Sequence, residues 1–101
     1  MDLLVTVKEV KGDCPVYKAG ESFTIEDGFK LVSERPVCMH ALSAIMPIYN
    51  ALRFTGPASL GLAGKDEKTK TYVQCPDPVC YTGGGTAIFE ITRKDDATLD
   101  K

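Results

Sequence analysis

One helical pattern lies between two pairs of alternating segments, and this arrangement is the strongest constraint on how the chain can fold. Residues 3–10 alternate apolar and polar side chains with a period of two, which is typical of a half-buried strand. Residues 19–28 contain a second short strand pattern that is bounded by glycines and places Phe23 and Ile25 on one face. We expect these two segments to pair with each other.

The helical pattern follows Ser33. Ser33 is a predicted N-cap, Glu34 favours the positive end of the helix dipole, and Pro36 is tolerated in a first turn. The predicted helix runs from Glu34 to Phe54. Its predicted buried stripe, with alternating spacings of four and three, is Cys38, Leu42, Ile45, Tyr49 and Leu52. Pro47 has no backbone N–H, so we expect the helix to bend or restart near it.

The second half of the chain begins with a glycine-containing and charged segment, residues 55–71, that has no sustained period and is predicted to be a mobile loop. Residues 71–74 and 86–92 are predicted strands, and three successive glycines precede the last one as a turn. The residues predicted to share the buried face of the sheet are Leu3, Val5, Val7, Phe23, Ile25, Ala87, Phe89 and Ile91.

The order strand, strand, helix, strand, strand predicts an α+β fold. We expect a small antiparallel sheet of about four strands packed against one kinked helix. A closed small barrel with one inserted helix is the alternative. The chain has 101 residues, and a chain of this size buries about 65% of its surface, enough for one core. We therefore expect a single domain over 1–92 and a charged, frayed tail over 93–101.

Composition and charge exclude several classes of function. The chain is 44% hydrophobic and 26% charged, which is too apolar for a disordered chain. Its 12 basic and 14 acidic residues are scattered, so no basic surface for nucleic acid is expected. The N-terminal apolar run ends at Lys8, too early for a signal sequence, and the uncharged stretch 36–52 is too short and polar for a bilayer span. We expect a cytoplasmic protein that contacts neither nucleic acid nor membrane.

Four cysteines are the most informative candidates for chemistry. Cys14 and Cys75 are each followed by a proline, which fixes an extended backbone and presents the thiol from a rigid loop. Cys38 lies at the start of the predicted helix, where unpaired N–H groups favour a thiolate. Because cytoplasmic thiols stay reduced, we predict that these three cysteines converge, with Cys80 or Asp77 as a fourth ligand, and bind zinc or an iron–sulfur cluster.

Other interpretations of these residues remain open. No Cys-x2-Cys pair is present, and the four cysteines also fit purely structural thiols or thiol redox chemistry. His40 is turned by about 200° from Cys38 on a helix, so both cannot reach one ion. A nucleophilic pair of His40 with Cys14 or Cys75, oriented by Asp77, has no supporting motif, and we lean against an enzyme. A non-catalytic module that contacts a protein partner through the 55–71 loop is a further alternative.

The same residues resemble a known group of proteins. The carriers of the resemblance are the Gly-Asp-Cys-Pro motif at 12–15, the Cys-x-x-Ala-Leu motif at 38–42, the Cys-Pro-Asp-Pro motif at 75–78 and the closing strand at 87–91. Together they resemble a family of short prokaryotic proteins, often from anaerobes, that contain cysteines and have no established function. The resemblance implies that Cys14, Cys38 and Cys75 are the recurring cysteines of the family. Cys80 is a departure from the pattern, which weighs against a site of four cysteines.

Overall fold

The computed structural model describes residues 2–94 and has the α+β class that the sequence predicts, with one antiparallel sheet and helices beside it. The sheet contains five strands in the order β3-β2-β1-β5-β4, and every pair of neighbours is antiparallel. The elements along the chain are β1 Leu3–Gly12, β2 Ser22–Glu26, β3 Lys30–Val32, α1 Met39–Thr55, β4 Lys70–Gln74, α2 Val79–Thr82 and β5 Gly85–Arg93.

The core lies between one face of the sheet and α1. All eight residues predicted to share the buried face of the sheet are buried, so the period-two interpretation of these strands is confirmed. The register explains their common face, because Val5 lies opposite both Phe23 and Ile91 in the two strands that flank β1. Directly opposite residues of antiparallel strands point to the same side of the sheet.

The predicted number of strands was wrong, because the structure has a fifth strand, β3, immediately after β2. Asp27 and Gly28 both have positive φ, of 57° and 81°, and form a tight turn between the two strands. Asp-Gly is favoured in such hairpin turns because glycine adopts positive φ without steric cost. β3 pairs with β2 at Ile25↔Leu31 and forms one edge of the sheet.

The predicted start of the helix was also wrong. Ser33 does not cap a helix; its hydroxyl donates to the carbonyl oxygen of Arg35 and accepts from the Arg35 N–H, which closes a local turn. Arg35 precedes a proline, and that position disfavours helical backbone. The helix begins at Met39, with Cys38 as an extended N-cap, and continues through Pro47 to Thr55 without restarting.

The buried face of α1 is rotated relative to the prediction. Ala41, Ile45 and Leu52 are buried, whereas Leu42 and Tyr49 are only half-buried. The small side chain of Ala41 lets the helix lie close to the sheet, and Leu42 turns to the side. A second apolar stripe therefore lies beside the core stripe, made of Met39, Leu42, Met46 and Tyr49.

The segment predicted as a structureless loop has local structure. Residues 58–60 form a single 3-10 turn, Leu60 packs against the core, and Ala63 forms a β-bridge with Thr71. The short helix α2 was not predicted. At the C-terminal end, Arg93 closes β5 and the Lys94 N–H donates to the carbonyl oxygen of Asp2 at 2.9 Å. The rest of the predicted tail, 95–101, lies outside the described residues.

Within the described part of the chain, no helix is both long and apolar enough to cross a membrane.

The outer face of the sheet carries a polar cluster around Glu90. The Tyr72 hydroxyl donates to Glu90 Oε2 at 2.9 Å, and the ammonium groups of Lys8 and Lys70 lie 3.4 and 3.2 Å from the same carboxylate. Burial, and then the hydrogen bond to Glu90, raise the pKa of Tyr72 to about 12 from 10.0. Burial by itself would raise the pKa of Glu90, but hydrogen bonds from Tyr72 and Lys70 and the nearby positive charges lower it.

These shifts predict that Tyr72 makes stability depend on pH in alkaline solution. The folded protein holds the Tyr72 proton more tightly than the unfolded chain, so its contribution is complete below pH 10 and is lost as the pH rises from 10 towards 12. We expect the difference in unfolding free energy between the wild type and Tyr72→Phe to be constant near neutral pH and to shrink above pH 10. Urea unfolding across this range measures the difference.

Tyr81→Phe is the matched control, because Tyr81 is 92% exposed. At neutral pH this variant is expected to have nearly the same unfolding free energy as the wild type, because an exposed ring buries little surface. A Tyr72→Phe difference that does not change with pH would contradict the burial of the phenol.

Candidate thiol site

The candidate site lies at the end of the sheet where β1 and β4 end and β5 begins. Cys14 follows β1 in the loop predicted from its proline. β1 and β5 approach each other closely there. The Asp13 N–H donates to the carbonyl oxygen of Gly84 at 3.2 Å, and a Cβ atom on Gly85 would lie 2.4 Å from the Cys14 nitrogen. Only a glycine fits at position 85, because no Cβ atom tolerates a backbone atom at that distance. This contact fixes the Cys14 loop against β5.

Cys75 is held against the same part of β5. It directly follows β4, and its N–H donates to the carbonyl oxygen of Ala87 at 2.9 Å. Its own carbonyl oxygen accepts from the buried Thr86 hydroxyl, also at 2.9 Å. Thr86 is the neighbour of Gly85, so the loops of Cys14 and Cys75 are anchored to adjacent residues of one strand.

Tyr17 connects Cys38 to this end of the sheet. The Tyr17 hydroxyl accepts a hydrogen bond from the Cys38 N–H at 2.9 Å, at the N-terminus of α1. The Tyr17 N–H in turn lies 3.4 Å from Cys14 Sγ and donates to it. Tyr17 therefore joins the Cys14 loop to the N-cap of the helix. Its ring is 6% exposed and packs edge-on against Phe89, with ring centroids 5.3 Å apart.

Three cysteines affect the pKa of the Tyr17 hydroxyl group. Burial is the largest cause that raises the pKa of Tyr17, and the hydrogen bond from the Cys38 backbone opposes it. Cys38, Cys14 and Cys75 each raise that pKa further through their charge when ionised. All three thiols are therefore within electrostatic reach of the same hydroxyl group. All three are free and half-buried.

The other candidate residues make no contact with Tyr17 among those that define this group. Cys80 is exposed on α2 and lines a surface depression with Lys11 and Gln74. Asp77 accepts a very short hydrogen bond from the Thr82 hydroxyl, next to the turn that leads into β5. His40 is exposed on α1, where its carbonyl oxygen accepts from the Ser43 hydroxyl.

The side chains are not arranged as a finished metal site. Among residues 2–94, no three histidine, cysteine, aspartate or glutamate side chains converge closely enough to hold a metal ion. Zinc needs its sulfur ligands at about 2.3 Å, so the thiols around Tyr17 would have to turn towards a common point to bind one. The loops of Cys14 and Cys75 and the start of α1 lie at one end of the sheet, but the cysteine side chains do not form a ligand set.

Sequence reasoning missed Tyr17, the residue at the centre of this group. Two signals in the sequence point to it in retrospect. Tyr17 lies three residues after Cys14, within reach of a local turn, and a buried tyrosine generally finds a hydrogen-bond partner for its hydroxyl. Its partner is the backbone of a residue 21 positions away, and no local pattern reveals such a contact.

Comparison of this chain with family models, with curated proteins and with solved structures finds no match. Its function must therefore be inferred from the residues of the site themselves.

Proposed function

We propose that this protein binds a thiophilic metal, as a zinc ion or an iron–sulfur cluster, through Cys14, Cys38 and Cys75. The observation that carries the proposal is that three free cysteines from separate parts of the chain are anchored at one end of the sheet: Cys14 and Cys38 by hydrogen bonds to Tyr17, and Cys75 by hydrogen bonds to β5 beside the Cys14 loop. A cysteine with a purely structural role does not need other cysteines near it, because an isolated cysteine packs well as a small apolar side chain. Three thiols at one place match the ligand type that zinc and iron–sulfur clusters prefer.

The surroundings of the thiols support an anionic ligand set. Cys38 is the N-cap of a helix of 17 residues, and the first turn of that helix contains no acidic residue. The positive end of the helix dipole therefore remains available to stabilise negative charge on sulfur. The three thiols are only half-buried, so a metal ion or a metal donor protein has access to them.

Binding requires a local rearrangement that the fold permits. Each thiol is one rotatable bond away from a backbone that is held in place. The Gly85 contact holds the backbone of Cys14, two hydrogen bonds hold that of Cys75, and Tyr17 holds that of Cys38. A fourth ligand from solvent, or from Cys80 or Asp77 after movement of α2, would complete the coordination of zinc.

The test measures metal content and the visible absorption spectrum of protein purified with and without oxygen. We expect about one equivalent of zinc with no visible colour, or iron with the broad absorption of a cluster in the anaerobic preparation. Cys14→Ala, Cys38→Ala and Cys75→Ala are each expected to lose the metal. Cys80→Ala is the matched control and is expected to keep most of it, because Cys80 is exposed on α2 and is not one of the three proposed ligands.

Far-UV circular dichroism and thermal unfolding of each variant separate loss of ligand from loss of fold. A wild type that takes up no stoichiometric metal in either preparation, even when zinc or iron and sulfide are supplied, overturns the proposal. Retention of the metal by folded variants that lack Cys14, Cys38 or Cys75 overturns it as well. A disulfide between two of the three cysteines in metal-free protein would indicate the redox alternative.

A further inference from the structure

A cavity of about 490 Å³ opens on the outer face of the sheet, the face that also carries Glu90. It lies between the segment 61–67 on one side and Lys8 and Tyr72 on the other. None of the four cysteines is among its lining residues. Its volume falls in the range of roughly 300–1,000 Å³ that is typical of sites for small molecules.

Both walls of this cavity are held in place by hydrogen bonds. The Gly64 N–H donates to the carbonyl oxygen of Lys70 at 2.9 Å, and the Tyr72 N–H donates to that of Leu62 at 3.4 Å, so the segment is fixed to β4. A Cβ atom on Gly64 would lie 2.7 Å from the Tyr72 ring, which shows how closely the two walls meet there. Tyr72 is itself fixed by its hydrogen bond to Glu90. Because the walls are formed in advance, little binding energy would be lost to ordering them.

The cavity is lined by charges of both signs. Asp66 and Glu67 line it, and both lie near enough to the Tyr72 hydroxyl to raise its pKa through their charge. Lys8 and Lys65 supply the positive charges. Asp66, Glu67 and Lys65 are exposed, and none of the three forms an ion pair with another of the residues 2–94. These three charges are therefore available to a ligand that carries both signs itself.

We propose that this cavity binds a free amino acid with an apolar side chain, in its zwitterionic form. The ligand's carboxylate accepts from the Lys65 ammonium, and its own ammonium group donates to Asp66 and Glu67. Hydrogen bonds between charged groups are stronger than neutral ones. The apolar side chain packs against Tyr72 and Leu62. A ligand with only one sign of charge binds less well, because the lining groups of that same sign repel it.

The test is a titration of the ¹⁵N-labelled protein with L-leucine and with L-phenylalanine, followed by NMR. We expect shifts of the amide signals of residues 61–67 and of the neighbouring part of β4, which saturate with a dissociation constant below about 1 mM. N-acetyl-leucine lacks the positive charge of leucine and leucinamide lacks the negative one. Each is expected to bind about tenfold more weakly than leucine. Glycine, which has no side chain, is also expected to bind more weakly.

Variants assign each charge of the ligand to its partner. Lys65→Met is expected to weaken the binding of leucine by about tenfold and to remove the preference for leucine over leucinamide. The double variant Asp66→Asn with Glu67→Gln is expected to remove the preference for leucine over N-acetyl-leucine. Lys68→Met is the matched control, because Lys68 is exposed in the same region but does not line the cavity. Thermal unfolding of each variant shows that it is folded.

Amino acids that cause no saturable shift of the 61–67 amides up to about 10 mM overturn the proposal. Shifts that occur only on another surface overturn it as well. Leucinamide or N-acetyl-leucine that binds as tightly as leucine contradicts the recognition of a zwitterion, and a Lys68→Met variant as weak as Lys65→Met contradicts the assigned contact. None of these measurements depends on a metal, so their outcome is independent of metal binding by the cysteines.

Discussion

Replacing Phe89 by alanine is expected to lower the free energy of unfolding by about 3–5 kcal/mol, the range typical of large aromatic side chains in protein cores. Phe89 is fully buried at the centre of the sheet, lies opposite Val7 on β1 and Val73 on β4, and contacts the Tyr17 ring. The substitution removes apolar surface and leaves a cavity between two layers that are too rigid to close it. Urea unfolding at neutral pH measures the loss.

The control for this prediction is Phe54→Ala. Phe54 has the same side chain but is 72% exposed near the end of α1, and its ring contacts the Arg53 guanidinium with 4.9 Å between the charged carbon and the ring centroid. We expect its loss to change the unfolding free energy by less than about 1 kcal/mol, because little apolar surface is buried there and an exposed cation–π contact contributes little. Equal effects at the two positions would contradict the position of the core.

Because Phe89 supports Tyr17, the Phe89→Ala variant is also expected to loosen the thiol site.

Replacing Gly12 by alanine is the second prediction with a large effect, and we expect a loss of about 2–5 kcal/mol. Gly12 has a φ of +73°, which costs an L-residue about 1–2 kcal/mol. The added Cβ would also lie 2.3 Å from the carbonyl oxygen of Gly84, a backbone atom that cannot move without disturbing β5. Forced crowding of this kind costs a further 1–3 kcal/mol, roughly.

Gly61→Ala separates the two causes. Gly61 has nearly the same φ, +70°, but no atom lies within 4 Å of its added Cβ. Gly61→Ala is therefore expected to show only the free-energy cost of the positive φ. The difference in unfolding free energy between Gly12→Ala and Gly61→Ala then measures the effect of the close contact between β1 and the start of β5. Gly12 lies two residues before Cys14, and its substitution is also expected to displace the Cys14 loop and to reduce metal binding. Equal losses at the two glycines would show that the close approach at Gly12 does not exist.

The sequence determined the parts of the fold that depend on local pattern. Period-two alternation identified β1, β2 and β5 and their buried face, because residues two apart in a strand share one side of the sheet. The spacing of apolar residues identified the long helix, and the prolines after Cys14 and Cys75 identified two of the loops that present thiols.

Two of the features that were not predicted correctly have a signal in the sequence. Asp27 and Gly28 between two alternating stretches are a hairpin signal, but β3 has only three residues, too few for its own period to be recognised. The helix start was placed at Ser33 because serine is a good cap. The backbone restriction imposed on Arg35 by Pro36 delays the start to Met39.

The arrangement of the candidate site was decided by tertiary structure alone. Cys14, Cys38 and Cys75 are far apart in the chain, and the segments that carry them lie at one end of the sheet because antiparallel pairing returns β4 and β5 to the end of β1 and because Tyr17 holds the start of α1 there. The same is true of the face that α1 buries. Ala41, Ile45 and Leu52 are the buried residues of α1, and which of its two apolar stripes packs on the sheet depends on how the two layers fit together, which no residue pattern within the helix shows.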